Sequence, residues 1–172
     1  MLSSLAVASP RYNSETGTDE LVVFRAGGQL FAVRASDVAG TAERKVPARL
    51  PLAPAAVLGV ISVRGRVLTV LDPLAFVNAQ EPEAQATIPF VVILKGDEQL
   101  ALAADRREES IEVNPDRIRP TSEVLASAQS LEQVDSPILG AVQNNEASIV
   151  VLDPAKIFAA AMGKLDRRRR RT

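Results

Sequence analysis

The sequence predicts a mainly β protein made of two similar small β units, each holding about five short strands. Three observations predict it. Short apolar runs separated by glycine or polar turns recur along the 172 residues. Pro47, Pro51 and Pro54 exclude a regular helix or central strand over residues 43–54. Segments of the first half return in the second half at nearly constant offsets. The length suits one domain or two small ones. With 47 % hydrophobic and 24 % charged residues, the composition is that of a globular chain that buries a core without disulfides or metal.

Residues 1–19, rich in Ser, Thr, Asn and Gly without a hydrophobic period, read as a disordered leader. Leu21-Val22-Val23-Phe24 and Gln29-Leu30-Phe31-Ala32-Val33 flank Ala26-Gly27-Gly28, which predicts two strands around a glycine turn. Leu58 to Val63 and Val67 to Leu71 flank Arg64-Gly65-Arg66, a second hairpin. Asp72-Pro73 then supplies a helix cap and a first-turn proline, so a short helical turn through Phe76 follows. The first unit spans 20–79. A polar linker, beginning in the run Asn78 to Gln85, covers 80–89. The second unit spans 90–163. Thr121 or Ser122 caps a short helix toward Leu131. Asp153-Pro154 opens a helix with Ile157, Phe158, Ala161 and Met162 on one face, ending near Gly163. Residues 164–172 form a basic, disordered tail.

The repeat is the most informative feature. At an offset of 70, Val22-Val23-Phe24-Arg25 falls on Val92-Ile93-Leu94-Lys95, and Gln29-Leu30 falls on Gln99-Leu100. At an offset of 81, Leu58-Gly59 falls on Leu139-Gly140, and Val70-Leu71-Asp72-Pro73 falls on Val151-Leu152-Asp153-Pro154. The Gly-to-Asp distance is 13 residues in both copies. Such a period is too long for a solenoid. Two small β units, closed or nearly closed to protect their edges, account for it. The repeat is also an internal control: features shared by both copies serve the fold, and features of one copy are free for function. The tip Arg64-Gly65-Arg66 aligns with Asn145-Glu146-Ala147, so only the first copy carries a positive tip.

Composition removes several kinds of chemistry. The chain has no Cys and no His, hence no thiolate nucleophile, no disulfide framework, no Cys/His zinc site and no imidazole for a Ser-His-Asp triad. Acidic neighbours such as Glu108-Glu109 and Asp97-Glu98 read as solvated surface rather than a catalytic pair. The net charge of −1 hides an asymmetry, because Arg167 to Arg171 are five arginines. Without them, 15 basic residues face 21 acidic ones, so the body is mildly acidic and shows no basic face in its sum. Apolar stretches fall far short of the ~20 residues of a membrane span. Met1 to Pro10 lacks the basic start and apolar core of a signal peptide, and the cytoplasm is the expected location.

The first hairpin, Leu21 to Val33, and the segment Leu58-Gly59-Val60-Ile61-Ser62-Val63-Arg64-Gly65-Arg66-Val67-Leu68-Thr69-Val70-Leu71-Asp72 resemble the CheW-like chemotaxis coupling proteins. The second half, through Ser110-Ile111-Glu112-Val113 to Ile118-Arg119-Pro120, continues the resemblance, which runs from Glu20 to Phe158. It implies two tandem SH3-like five-stranded β-barrels with short helices and a C-terminal helix. It also implies that the first strand crosses between the barrels, which makes the boundary near residue 80 approximate. The implied function is a non-enzymatic adaptor without cofactor, metal or small-molecule substrate. Its implied partners are the cytoplasmic tip of a methyl-accepting chemotaxis receptor and the regulatory domain of a CheA-like histidine kinase, with membrane association only through the receptor. The receptor tip, a helical hairpin, would dock in a groove between the barrels.

The receptor-side positions carried over by this resemblance are Val38, Gly59, Arg64 and Gly65; kinase-binding residues are not specified. Val38 lines the groove or is simply core. Gly59 permits close approach or a positive φ, and its twin Gly140 argues for a fold role. Arg64 pairs with a receptor carboxylate, braces the barrels through carbonyl hydrogen bonds, or is a plain solvated turn residue. Gly40 and Thr41 depart from the family's acidic and apolar residues, which points toward a non-flagellar pathway. The competing reading is an SH3-like module that binds RNA or a membrane surface through the arginine tail. Aromatic content of 3 % leaves few stacking platforms for it.

Overall fold

The computed structural model describes residues 17–77, 87–120 and 136–169, with side chains as far as residue 162. The chain opens with β1 (Asp19–Ala26) and β2 (Gln29–Arg34), joined by Gly27 and Gly28 at φ 55° and 83°. Both turn positions need positive φ, and glycine supplies it without steric cost. A 3-10 turn at Ala35–Asp37 leads into β3 (Val38–Lys45). The proline-rich stretch that follows makes one isolated bridge, Ala48 to Val60. Next come β4 (Val57–Val63), β5 (Arg66–Leu71) and α1 (Leu74–Val77), whose Leu74 N–H donates to Asp72 Oδ1 at 3.0 Å.

The second half supplies β6 (Ile88–Leu94), β7 (Leu100–Ala104), the short β8 (Arg106–Arg107) and β9 (Ile111–Val113), then a 3-10 turn at Pro115–Arg117 and β10 (Arg119–Pro120). It closes with β11 (Ile138–Asn144), β12 (Ala147–Leu152) and α2 (Pro154–Arg169). Asp153 repeats the Asp72 cap, accepting from Ala155 N–H at 3.1 Å.

The strands form two curled sheets. One runs β3-β6-β7-β5-β4. The other runs β10-β11-β12-β2-β1-β8, with β9 also on β1. The short β8, β9 and β10 follow one another along a single stretch of chain, so this sheet also has five lanes. Each sheet returns on itself in the same way. Just beyond β3, Ala48 bridges to β4; just beyond β9, β10 pairs with β11.

This pairing corrects the division of the chain into units 20–79 and 90–163. The β1-β2 hairpin lies in the sheet of the second half, where β2 runs parallel to β12. The β6-β7 hairpin lies in the sheet of the first half, where β7 runs parallel to β5. The halves have exchanged their opening hairpins. The physical reason is that each hairpin is apolar on both faces and needs cover on both. In β1, Leu21 and Val23 face one core, while Val22, Phe24 and Ala26 face another.

The apolar residues divide accordingly. Ile61, Leu68, Val70, Ile88, Val91, Ala101 and Ala103 fill the first barrel, and Leu21, Val23, Ala32, Val113, Val142, Ile149 and Val151 fill the second. The largest cluster lies between the barrels. It combines Phe24, Phe31 and Val33 with Phe90, Val92, Leu102 and Leu71, and it is covered by Phe76 of α1 and Ile157 of α2. Phe24 and Phe31 stack with ring centroids 5.9 Å apart.

The repeat offset also needs correction in its second strand. The structure equates Phe31 with Leu100, an offset of 69 rather than 70: Val150 pairs Phe31 as Thr69 pairs Leu100. The second hairpin turn is one residue shorter. A slip of one residue exchanges the two faces of a strand, so the offset of 70 would have put Phe31's counterpart, Ala101, in the wrong core.

Helix α2 runs past Gly163 to Arg169, where the sequence suggested a disordered tail from 164. A glycine costs a helix interior only about 1 kcal/mol, and the Lys, Leu and Arg that follow are strong helix formers whose cations suit a C-terminus. Ile157 and Ala161 are buried, but Phe158 and Met162, rotated about 100° away on the helix, are exposed. The leader through residue 16, most of the linker, the helix expected at Thr121 to Leu131 and residues 170–172 lie outside the described residues.

Candidate functional site

Each of the four positions singled out in the sequence falls on the first barrel. Val38 starts β3, opposite Leu94, and packs half-buried on the central cluster. Its backbone N–H donates to Ala35 carbonyl, and the neighbouring Lys95 N–H donates to Asp37 carbonyl at 2.8 Å. Val38 is therefore part of the rim of the inter-barrel core.

Gly59 is buried in β4 at φ 148°. A Cβ there would lie 2.5 Å from the Ala48 carbonyl oxygen and 3.1 Å from Pro47 Cβ. The reason is the barrel's closure: Ala48 N–H donates to Val60 carbonyl at 2.8 Å and Val60 N–H donates to Ala48 carbonyl at 2.9 Å. Gly140 meets the matching carbonyl of Arg119 in the second barrel. The twin glycines thus serve the same crossing of chains.

Arg64 and Gly65 form the two-residue turn between Val63 and Arg66, with φ 50° and 78°. These are the left-handed values of a type I′ turn, in which Asn, Asp or Gly is the usual first residue. An arginine there is held in an uncommon conformation. Its side chain is exposed, and it joins no ion pair with a described residue; the pairs found involve Arg25, Arg34 and Arg106. No hydrogen bond from Arg64 braces the barrels among the described residues.

The register places Val38 and the Arg64–Gly65 turn at one end of the first sheet. Val38 faces Leu94, just before the β6-β7 turn, and Thr69 N–H donates to Gln99 carbonyl at 2.9 Å just after it. Gly59 belongs instead to the sheet's seam with Ala48.

Sequence reasoning missed the surroundings of this tip. From β3 to β5 the chain carries Arg44, Lys45, Arg49, Arg64 and Arg66 against a single acid, Glu43. A mildly acidic total therefore hid a basic stretch of chain in one barrel. The same segment exposes Val46, Leu50, Leu52 and Val67. Leu50, Pro51, Leu52 and Ala53 make a turn in which Ala53 N–H donates to Leu50 carbonyl at 3.4 Å and Leu52 has φ 60°. Proline second and positive φ third is the type II pattern, whose third place favours Gly or Asn. The signal available in the sequence was the leucine after Pro51, unpaired with any apolar period.

Ionisable groups elsewhere serve the scaffold. Arg106 and Arg25, at 2.8 and 3.0 Å, hold the Glu108 carboxyl below the usual range and tie the β8 stretch to β1. Burial pushes the Asp72 carboxyl up, partly offset by the Leu74 N–H it accepts. Among the described residues no group of His, Cys, Asp and Glu is arranged to hold a metal ion, and no helix is long and apolar enough to cross a membrane.

Residues 20–162 match the CheW-like domain. A probable chemotaxis protein CheW of Rhizobium etli is 30 % identical over 113 residues, covering 66 % of this chain and 73 % of its own. The chemotaxis protein CheW of Rhizobium meliloti is 30 % identical over 110 residues, covering 64 % and 71 %. The crystal structure of the scaffolding protein TtCheW from Thermoanaerobacter tengcongensis shares the fold, with a TM-score of 0.61 at 18 % identity over 78 % of this chain and 88 % of that one. With the domain match spanning most of its length, the chain belongs to the CheW-like family.

Proposed function

We propose that this chain is a coupling scaffold of a chemotaxis or related chemosensory pathway, joining the cytoplasmic tip of a chemoreceptor to the regulatory domain of a CheA-like histidine kinase. It works by binding alone, in the cytoplasm, and reaches the membrane only through the receptor. Family membership supports the coupling role. The observation that carries the receptor side is Arg64: a charged side chain without an internal partner, held at φ 50° on a turn that would be more relaxed with Asn or Gly. Strain of this kind at an exposed tip, kept without a structural return, is a mark of use.

Arg64 would meet a receptor carboxylate, and Gly65 would let the receptor backbone approach, since nothing lies within 4 Å of a Cβ placed there. Val38 would offer an apolar rim beside them. Gly59 contributes by keeping the barrel closed. The receptor helices would therefore lie across the end of the first barrel and the edge of the inter-barrel core. That core is filled, so docking is onto its rim.

Arg64→Asn separates binding from folding, because Asn tolerates the left-handed turn. The expected result is an unchanged or raised unfolding midpoint together with weakened capture of a receptor signalling fragment, by about tenfold for one charged contact. Equal capture by the variant would remove Arg64 from the interface. Failure of the intact chain to capture both the receptor fragment and the kinase domain would end the coupling reading.

A further inference from the structure

We infer that two copies of this chain can trade halves, each folding its first half, residues 17–77, with the second half of the other copy, from Ile88 onward. The product is a dimer of two complete bodies, each built from both copies. This exchange is independent of the coupling reading.

The strand pairing carries it. Among the described residues, the pairings inside the first half are the β1-β2 and β4-β5 hairpins and the Ala48–Val60 bridge. Inside the second half they are the β6-β7 and β11-β12 hairpins and the short β10-β11 pair. Each ladder that joins one hairpin to another crosses between the halves: β2 lies on β12, and β5 on β7. The remaining strands cross as well, since β3 pairs with β6, and β8 and β9 pair with β1. Single hydrogen bonds repeat the pattern. Asp105 N–H donates to Arg25 carbonyl at 2.7 Å, Glu108 N–H to Val23 carbonyl at 2.8 Å, and Gly27 N–H to Asp105 Oδ2 at 2.8 Å. The central core is likewise shared, with Phe24, Phe31 and Leu71 from one half against Phe90, Leu102 and Ile157 from the other. A half by itself is thus a set of separate hairpins, and a lone hairpin is marginal in water.

Each first half therefore needs a second half, and that of another copy offers the same surfaces as its own. The halves of one chain share a single covalent connection, residues 78–87. Trading halves changes where that connection leads and keeps the ladders and the core. Concentration decides between the two outcomes. A short tether presents its own half at an effective concentration of roughly 1 mM. Folding in dilute solution gives monomer, and folding near that concentration gives the traded dimer as well. Once formed, the dimer persists on dilution, because releasing a half opens both sheets and the core between them. The trade also builds the receptor-side end from two copies. Val38 and the Arg64–Gly65 turn belong to the first half, whereas Leu94 opposite Val38 and Gln99 beside Thr69 belong to the second. The dimer carries two such ends, each completed by the other copy.

The test uses the full chain with a protease recognition sequence inserted between Gln80 and Glu81, in natural and heavy-isotope forms. Equal amounts are unfolded together in urea and refolded at about 1 μM or about 1 mM. The products are separated by size-exclusion chromatography with light scattering, cut at the inserted site and weighed by native mass spectrometry. The dilute sample should give monomers, whose cut bodies hold two halves of the same form. The concentrated sample should also give a dimer that survives dilution. On cutting, that dimer should fall into single bodies, about half of them mixed, as random pairing requires. A dimer that stays whole after cutting is ordinary association between surfaces and overturns the exchange, as does a concentrated sample that holds monomer alone. A second arm covers precipitation at the higher concentration. Monomers of both forms are cut first, unfolded together and refolded at about 10 μM. Mixed bodies with the parent's circular dichroism are expected, because the halves need no connection to find each other. Halves that form no body overturn it.

Discussion

Gly59→Ala is a strong test of how the first barrel closes. The added Cβ would sit 2.5 Å from the Ala48 carbonyl oxygen and 2.9 Å from its carbon. Both partners are backbone, so no side-chain rotation relieves the contact. The segment carrying Ala48 has to retreat, which breaks the paired hydrogen bonds of 2.8 and 2.9 Å to Val60. Two such bonds contribute about 1 kcal/mol each. Holding alanine at φ 148° costs about 1–3 kcal/mol more. The reduced freedom of the unfolded chain returns about 0.4–1 kcal/mol. The net loss is about 2–5 kcal/mol, against a total stability of order 5–15 kcal/mol. Urea unfolding followed by far-ultraviolet circular dichroism reads it directly, since the chain has no Trp. Gly65→Ala is the control: φ is 78° but nothing lies within 4 Å, so about 1 kcal/mol is expected. A loss below about 0.5 kcal/mol for Gly59→Ala would refute the closure argument and return Gly59 to the docking surface.

Other consequences can be measured on the same chain. Leu102→Ala, in the fully buried centre between the barrels, should cost about 2–5 kcal/mol by the usual cavity effect and should lower the stability of both sheets together. Separate transitions for the two sheets would contradict the exchange of hairpins. Glu108 is held below the ordinary carboxylate range, so its contribution is present above that range and is lost as pH falls through the lowered value. Glu108→Gln should flatten that part of the acid limb. Asp72 has the opposite sign. Burial raises its folded value, so its ionisation lowers stability as pH rises through the window between the ordinary and raised values. Asp72→Asn should remove that decline while keeping an acceptor for the Leu74 N–H, and an unchanged pH profile would argue against it.

Much of this architecture was legible in the sequence because hairpin and cap chemistry is local. Gly27-Gly28, the Arg64-Gly65 turn and the Asp-Pro caps at 72 and 153 each announce their element without help from distant residues. The exchange of hairpins was not legible from the repeat, because a repeat shows which segments are alike but not which copies pair. The shifted register of β7 was hidden for a related reason. Gln99-Leu100 copies the letters of Gln29-Leu30, whereas burial equates Leu100 with Phe31. The basic stretch from β3 to β5 eluded composition because its cations are balanced by acids elsewhere in the chain. The leucine at φ 60° needed coordinates, since nothing in Leu-Pro-Leu distinguishes a buried leucine from one held out in solvent.

The most direct measurement of the coupling claim is sedimentation of a three-part mixture: receptor signalling fragment, kinase regulatory domain and this chain. Coupling predicts that the kinase domain sediments with the receptor when the chain is present, and that it stays behind when the chain is withheld. Kinase domain that sediments equally with or without the chain would contradict it.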